Sequence, residues 1–227
     1  MDVEGLKKSI RQVIKSHAAA FKAIGVSQPK LLELSAITGV AQHYQSIGYS
    51  ISVSNPTGKK SFTIKAGTRG YPWNFSRIVA VSPEVAVEIH MNLMVRGAHD
   101  DGIYCVDVGI VEASSVPSEA PPKEQGKWVC LENGKLVTFV EAKKLVVYPM
   151  LLAQFVGIVQ EIKPIYLEKD PGNGHLPPTL IALGHFSGNS HAIVSAYLGR
   201  GIHLQVAENY DVRLAKVRGG HEETPFH

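Results

Sequence analysis

In the first part of the chain, apolar residues recur at the spacing that places them on one face of an α-helix. Residues 3–24 carry apolar side chains three and four positions apart with lysines between them, and Gly25 follows as a helix stop. The same spacing predicts a second helix over 28–47, which Gly48 would end. The run YSISVS over 49–54 then predicts a strand, because apolar and polar residues alternate one by one.

Strand-like patterns dominate the middle of the chain. The apolar runs 85–95 and 103–111 are separated by the turn sequence RGAHDDG, which predicts a hairpin. Two further strand-like runs, 127–132 and 135–143, are joined by Asn133–Gly134. This dipeptide is typical of a two-residue hairpin turn, so a second hairpin is expected here.

The last third of the chain predicts a helix followed by a strand–helix–strand unit. The helix covers 148–162 and is stopped by Pro164. The unit consists of a strand over 179–186, a helix over 189–198 and a strand over 201–208. Such a unit implies a parallel pair with a right-handed crossover. Together with the antiparallel strands, it predicts an α/β fold with a mixed central sheet flanked by helices.

Composition favours one domain inside a cell. The chain has 227 residues, 44% of them hydrophobic, and a net charge of +3. We expect a helical extension over 1–25, a core over 28–207 and a tail over 208–227. Cys105 and Cys130 form no disulfide framework and have no metal spacing, which fits a reducing compartment. The N-terminus does not resemble a signal peptide, and no run approaches the about 20 apolar residues of a membrane span. A cytoplasmic protein without a membrane partner is therefore expected.

The most informative segment is LVTFVEAKKL over 136–145. Strand alternation would place Val137, Phe139, Glu141 and Lys143 on one side. Burying a carboxylate and an amine beside apolar residues costs free energy unless they are paired or bind a metal ion. The other E-x-K sequence lies at a helix end without strand alternation and is set aside.

Two further acidic residues occupy positions where an apolar residue is expected. Asp107 lies in the middle of an apolar strand, on the predicted side of Ile103 and Cys105. It could bond to a neighbouring backbone group, or it could ligate a hard cation such as Mg²⁺ or Mn²⁺. Glu33 lies at the centre of the apolar stripe of helix 28–47. It could serve a reaction site, or it could pair with a buried backbone group or a histidine.

The order of these charges resembles the PD-(D/E)xK nuclease superfamily. A glutamate on an early helix, an aspartate on a strand after a hairpin and an E-x-K strand are followed by a helix and a β-α-β unit, over residues 28–207. The resemblance implies a restriction-endonuclease-like, three-layer fold. Two departures are visible: Val106 replaces the proline before Asp107, and the Pro-rich loop 112–126 lengthens the distance to the E-x-K strand.

The resemblance also implies roles for individual residues. Asp107 and Glu141 would hold a Mg²⁺ or Mn²⁺ ion, and Lys143 would help to activate water. Glu33 would support the site, and Gln154 would be the supporting glutamine that some members carry on the following helix. These roles fit the chemistry, because phosphodiester hydrolysis needs charge neutralised on the phosphate and a nucleophilic water at neutral pH.

The function implied is that of a metal-dependent nuclease, with DNA as the expected substrate, in bacterial defence, including antiviral defence, or in repair. Whether it is an endonuclease or an exonuclease, and whether it acts on DNA or RNA, is left open by the sequence. A homodimer is expected, since a small nuclease domain needs a second copy to cut both strands of a duplex. The alternative is a catalytically inactive nucleic-acid-binding or interaction module on the same fold. A third interpretation is an unrelated α/β protein in which these charges only pair with each other.

A basic, turn-rich segment follows the first predicted strand. Its cations are candidate phosphate contacts: Lys59, Lys60, Lys65, Arg69 and Arg77. Tyr71, Trp73 and Phe75 interleave toward its end and could stack on bases. The alternative is a solvated loop whose aromatic residues belong to the core.

Other features favour structural roles. His90 alternates onto the face of Glu88 and Asn92, where a lone histidine is more typical of a satisfied or exposed edge, although Glu88 could be a further acidic ligand. The turn GHFSGNSH lacks the G-x-S-x-G spacing of a nucleophile, and Ser187 is better placed to cap the next helix. The absence of a phosphate-binding G-K-[ST] loop argues against ATP as a substrate.

Overall fold

Seven strands form one sheet, with three α-helices in the described part of the chain. The structure is a computed structural model and describes residues 28–122 and 128–210. The helices are α1 (Gln28–Ser46), α2 (Pro149–Ile162) and α3 (Ser190–Gly199). The strands are β1 (Ser50–Ser54), β2 (Arg77–Val81), β3 (Ala86–Arg96), β4 (Ile103–Glu112), β5 (Leu136–Lys143), β6 (Thr179–Ala182) and β7 (Gln205–Ala207).

The sheet is mixed, and its strand order follows the chain from β1 to β7. Neighbouring strands from β1 to β5 are antiparallel, whereas β5–β6 and β6–β7 are parallel. Parallel neighbours need a crossover connection, and α2 and α3 lie in the two connections that these pairs require. The predicted α/β fold with a mixed sheet is confirmed.

Two hydrophobic cores lie on opposite faces of the sheet. Phe139 belongs to one core and its neighbour Val140 to the other, and Leu180 and Ile181 divide in the same way. Successive strand side chains point to opposite faces of a sheet, so these pairs place the two cores on opposite faces. Helix α1 packs in one core, and α2 and α3 pack in the other. Helix α1 ends as predicted, with Gly48 in the left-handed region at φ +96°.

The second predicted hairpin is wrong. Asn133–Lys135 is a single 3-10 turn, and Leu131 forms only an isolated parallel bridge to Val95. Strand β5 therefore pairs with β4 and not with the preceding segment. The side chain of Asn133 donates hydrogen bonds to the carbonyls of Arg96 and Ile162. It thus ties two other elements together and does not turn a hairpin.

Several other boundaries differ from the sequence-based expectation. Strand β2 was not predicted, although Ile78 and Ala80 are buried in strand alternation. The last two strands are shorter than predicted and end at Ala182 and Ala207. The predicted helix over 3–24 lies outside the described residues, as does most of the predicted tail. No helix among the described residues is long and apolar enough to cross a membrane.

Candidate active site

Two carboxylates and one ammonium group meet where β4 lies beside β5. The Lys143 Nζ is 2.6 Å from Glu141 Oε2 and 3.3 Å from Asp107 Oδ2. The backbone amide of Ala142 also donates to Asp107 Oδ2, at 2.8 Å. Glu141 and Lys143 are two residues apart on one strand and therefore share a face. The structure thus brings together three of the predicted site residues.

The Glu141 carboxylate is held in an unfavourable environment. It is only 4% exposed, and its Oε1 atom has no hydrogen-bond partner within the described ranges. Burial and the neighbouring Asp107 carboxylate raise the pKa of Glu141 to about 7. An orphaned, buried carboxylate oxygen costs free energy, so this atom has the properties of a ligand-binding group.

Lys143 remains a cation in this setting. Burial alone would lower the pKa of Lys143, but Glu141 and Asp107 outweigh that effect, and the net pKa is raised. The ammonium group therefore compensates the charge of two carboxylates that would otherwise repel each other.

Glu33 is buried on α1, as its position in the apolar stripe indicates. Its carboxylate pairs with Lys30 Nζ at 2.7 Å, and its Oε2 accepts a hydrogen bond from Asn92 Nδ2 at 2.9 Å. The partners are thus a lysine and an amide side chain, and not the histidine or backbone group considered from the sequence. No direct hydrogen bond or ion pair joins Glu33 to the Asp107–Glu141–Lys143 cluster in the described part of the chain.

Asn92 connects Glu33 to the sheet and was missed by the sequence analysis. It lies in the middle of β3 with φ +49°, a left-handed conformation that non-glycine residues rarely adopt. Its Nδ2 also donates to the carbonyl of Lys65 at 2.9 Å. A polar residue inside an apolar strand was the available signal, but the strand pattern alone groups Asn92 only with Glu88 and His90.

Strand alternation breaks at this point on both β3 and β4. Met91 packs in the α1 core and Leu93 in the α2 core, although residues two apart should share a face. Val108 and Val106 divide in the same way. The register pairs Met91 with Val108 and Leu93 with Val106, so Asn92 lies opposite Asp107. The unbroken alternation assumed for β4 is therefore wrong at Asp107.

Lys65 is not a surface cation, which corrects the expectation that it faces a phosphate. It is 4% exposed, and burial lowers the pKa of Lys65. Its Nζ donates to the carbonyls of Gly67 (2.7 Å), Thr68 (3.3 Å) and Asn92 (2.7 Å). An ammonium group has three donors, so these carbonyls use all of them.

The remaining predicted cations divide into two groups. Lys59, Lys60 and Arg69 are exposed, as phosphate contacts require. Arg77 is half-buried, and its Nε lies 3.3 Å from Glu88 Oε1. Arg77 is therefore part of an internal ion pair, which corrects the expectation of a free surface charge.

Gln154 lies on the exposed side of α2. The opposite side of that helix packs Leu151, Phe155 and Val159 into the core. Within the described residues, no hydrogen bond joins Gln154 to the cluster, so a supporting role for it has no geometric basis.

Glu88 and His90 form a separate buried pair on β3. Their Oε2 and Nε2 atoms are 3.1 Å apart, and burial lowers the pKa of His90 despite the carboxylate. The histidine is thus satisfied, as its isolated position indicated, and the neighbouring Arg77 completes a structural network. Neither residue contacts the Asp107–Glu141–Lys143 cluster in the described structure.

The thiol of Cys105 lies near the cluster, where its surroundings disfavour the thiolate form. Burial and the carboxylates around it raise the pKa of Cys105 to about 11. The reactive form of cysteine is the thiolate, so covalent catalysis by this side chain is not favoured near neutral pH.

The cluster suits a divalent cation that keeps part of its water shell. No group of three or more His, Cys, Asp or Glu residues in the described ranges could hold a metal ion by itself. Magnesium, however, is commonly bound by one or two carboxylates together with waters and substrate phosphates. The free Oε1 of Glu141 and the carboxylate of Asp107 fit that requirement.

No family model matches the chain, and neither the curated proteins nor the solved structures include a significant match. Function must therefore be inferred from the site itself.

Proposed function

We propose that this chain is a metal-dependent nuclease that hydrolyses phosphodiester bonds. The observation that carries the proposal is the Asp107–Glu141–Lys143 cluster. One ammonium group lies within 3.3 Å of both carboxylates, and one carboxylate oxygen is buried without a partner. Leaving one oxygen of a buried carboxylate without a partner costs free energy, and a bound metal ion that assists hydrolysis would supply that partner.

The roles of the residues follow from their electrostatics. Asp107 and Glu141 would hold the ion, Mg²⁺ or Mn²⁺. When bound, such an ion neutralises phosphate charge and lowers the pKa of a coordinated water. Lys143 is protonated in the fold, so it acts as a donor that orients water or stabilises charge on the phosphate, and not as a general base. Glu33 and Asn92 would position the strands that carry these groups.

The fold supports this assignment. An early helix covers the sheet, the E-x-K strand β5 lies beside the aspartate strand β4, and α2 with the parallel strands follows. We therefore propose a restriction-endonuclease-like fold, with helices on both faces of the sheet. DNA as the substrate, a role in bacterial defence or repair, and a homodimer rest on the resemblance alone.

The test is a cleavage assay on supercoiled plasmid, linear duplex, single-stranded DNA and RNA, with Mg²⁺, Mn²⁺ or EDTA. Asp107→Asn and Lys143→Met should each abolish metal-dependent cleavage. Asp101→Asn removes a fully exposed carboxylate and is the matched control.

The outcomes separate the alternatives. Cleavage that survives both substitutions would disprove the site. Binding without cleavage, in the wild type and under every metal condition, would instead favour the inactive binding module.

A further inference from the structure

The connection between β1 and β2 carries an aromatic stack on a basic background. Between Glu33 and Glu84 the sequence contains no acidic residue, whereas Lys59, Lys60 and Arg69 in this connection are exposed. The loop therefore carries exposed positive charge and no acidic residue of its own, which favours a polyanionic partner.

Tyr71 and Trp73 form a parallel pair of rings within this loop. Their centroids are 4.5 Å apart and their planes differ by 5°, while Trp128 contacts Trp73 edge-on at 6.1 Å. Trp73 and Trp128 are half-buried, but Tyr71 is 36% exposed. Tyr71 is thus the outermost ring of a stack, backed by tryptophan, and a further flat ring could extend it.

Local turns define the backbone on either side of Tyr71. Gly70 has φ +91°, and a Cβ atom there would lie 2.8 Å from the ring of Phe75, so only glycine fits. A 3-10 turn over Pro72–Asn74 follows, in which the amide of Asn74 donates to the carbonyl of Tyr71 at 3.1 Å. A preorganised platform loses little entropy when a ligand binds.

The same loop contacts β3 at Asn92, which lies opposite Asp107 of the proposed reaction site. The Lys65 ammonium group donates to the carbonyl of Asn92, and the side chain of Asn92 donates to Glu33. A strand of nucleic acid lying along the loop would therefore extend from the aromatic stack toward the neighbourhood of the site.

We propose that Tyr71, backed by Trp73, is a base-stacking platform and that the substrate is single-stranded nucleic acid. This inference rests on the proposed nuclease function and names its substrate class. Inside a duplex, both faces of each base are covered by neighbouring bases, so Tyr71 can stack on an unpaired base but not on an internal base pair. The exposed cations Lys59, Lys60 and Arg69 supply the phosphate contacts.

The test measures the binding of a labelled single-stranded oligonucleotide and of the matched duplex by fluorescence anisotropy, in EDTA to prevent cleavage. We expect the single strand to bind more tightly than the duplex. Tyr71→Ala should weaken single-strand binding about tenfold, because stacking on an aromatic side chain contributes at about this level. Tyr71→Phe keeps the ring and should bind within about twofold of the wild type.

Intrinsic fluorescence gives a second readout at the same place. Trp73 and Trp128 are the only two tryptophans of the sequence and both belong to the stack. Single-stranded oligonucleotide should quench their emission with the same Kd as the anisotropy titration.

The outcomes distinguish this inference from the proposed function. Equal affinity of wild type and Tyr71→Ala for the single strand, or a preference for duplex, overturns the platform even if metal-dependent cleavage is found. A wild type that binds no nucleic acid overturns it as well. A tenfold loss in Tyr71→Ala together with no cleavage under any condition supports the platform but overturns the nuclease.

Discussion

Replacing Glu141 by glutamine should stabilise the fold at neutral and alkaline pH. The pKa of Glu141 in the fold is about 7, against an ordinary value of 4.5. Since a difference of one in pKa corresponds to about 1.4 kcal/mol, keeping this carboxylate ionised above pH 7 costs about 3 kcal/mol of folding free energy. The folded state binds the proton more tightly than the unfolded state. This contribution to stability is therefore complete below pH 4.5 and is lost as the pH rises through 7.

Urea denaturation from pH 4 to 9 in EDTA measures this effect. We expect Glu141→Gln to gain up to about 3 kcal/mol over the wild type between pH 4.5 and 8.5, while it loses all metal-dependent cleavage. The difference between the two proteins cancels the titration of shared groups such as the buried histidines. Glu112→Gln removes a half-exposed carboxylate at the end of β4 and should show no comparable gain.

Two results would refute this reasoning. A difference between wild type and Glu141→Gln that does not vary with pH would mean that the carboxylate is not destabilised by burial. A glutamine variant that is less stable than the wild type at pH 8.5 would mean that the pairing with Lys143 outweighs the burial cost. Added Mg²⁺ should stabilise the wild type more than Glu141→Gln, because an ion that binds only the folded state shifts the equilibrium toward it.

Three further predictions concern the surroundings of the site. Asn92→Ala should lower the free energy of unfolding by about 2–4 kcal/mol, because it removes a hydrogen bond to the buried Glu33 and places alanine at φ +49°. Asn92→Gly should lose less stability, because glycine adopts a positive φ without strain. Equal urea midpoints for the two variants would contradict the backbone contribution. Lys65→Met should destabilise the fold by about 1–3 kcal/mol and leave the salt dependence of oligonucleotide binding unchanged. Lys59→Ala should reduce the slope of log K against log salt concentration by about 0.7. A reduced slope in Lys65→Met would show that the Lys65 ammonium group contacts phosphate. Burial lowers the pKa of His90 in the fold, so this residue contributes stability above its ordinary pKa that is lost as the pH falls. The urea midpoint of His90→Gln should therefore fall less steeply below pH 6.5 than that of the wild type. An unchanged pH profile would contradict this prediction.

The order of elements could be predicted because connection rules and periodicity act on long segments. The strand–helix–strand pattern at the end of the chain leaves a parallel arrangement as the expected solution, and the structure has it. The hairpin predicted at Asn133–Gly134 does not form, because the side-chain amide of Asn133 donates to the carbonyls of Arg96 and Ile162. Those carbonyls are distant in sequence, so a local turn preference could not take them into account.

Some residues of the site could be predicted from the sequence and others could not. Glu141 and Lys143 were detectable because a carboxylate and an ammonium group at apolar positions violate a strong rule of burial. Asn92 was not recognised, because an asparagine inside an apolar strand indicates a polar contact but does not by itself indicate a positive φ or its partner Glu33. The burial of Lys65 could not be predicted from the sequence either. This residue looks like Lys59 and Lys60 in sequence, and only three carbonyls assembled by the fold make its burial favourable.

Lys143 has a consequence for how such a protein would be made in the cell. A site of carboxylates alone would need an ion or a proton from solution before its like charges could be brought together. Here the counter-ion belongs to the polypeptide, and its ammonium group already lies between Glu141 and Asp107. In the proposed enzyme, folding would therefore need no bound metal ion, because the compensating charge is part of the chain. The metal-free protein would be folded and inactive, and it would be able to bind an ion again.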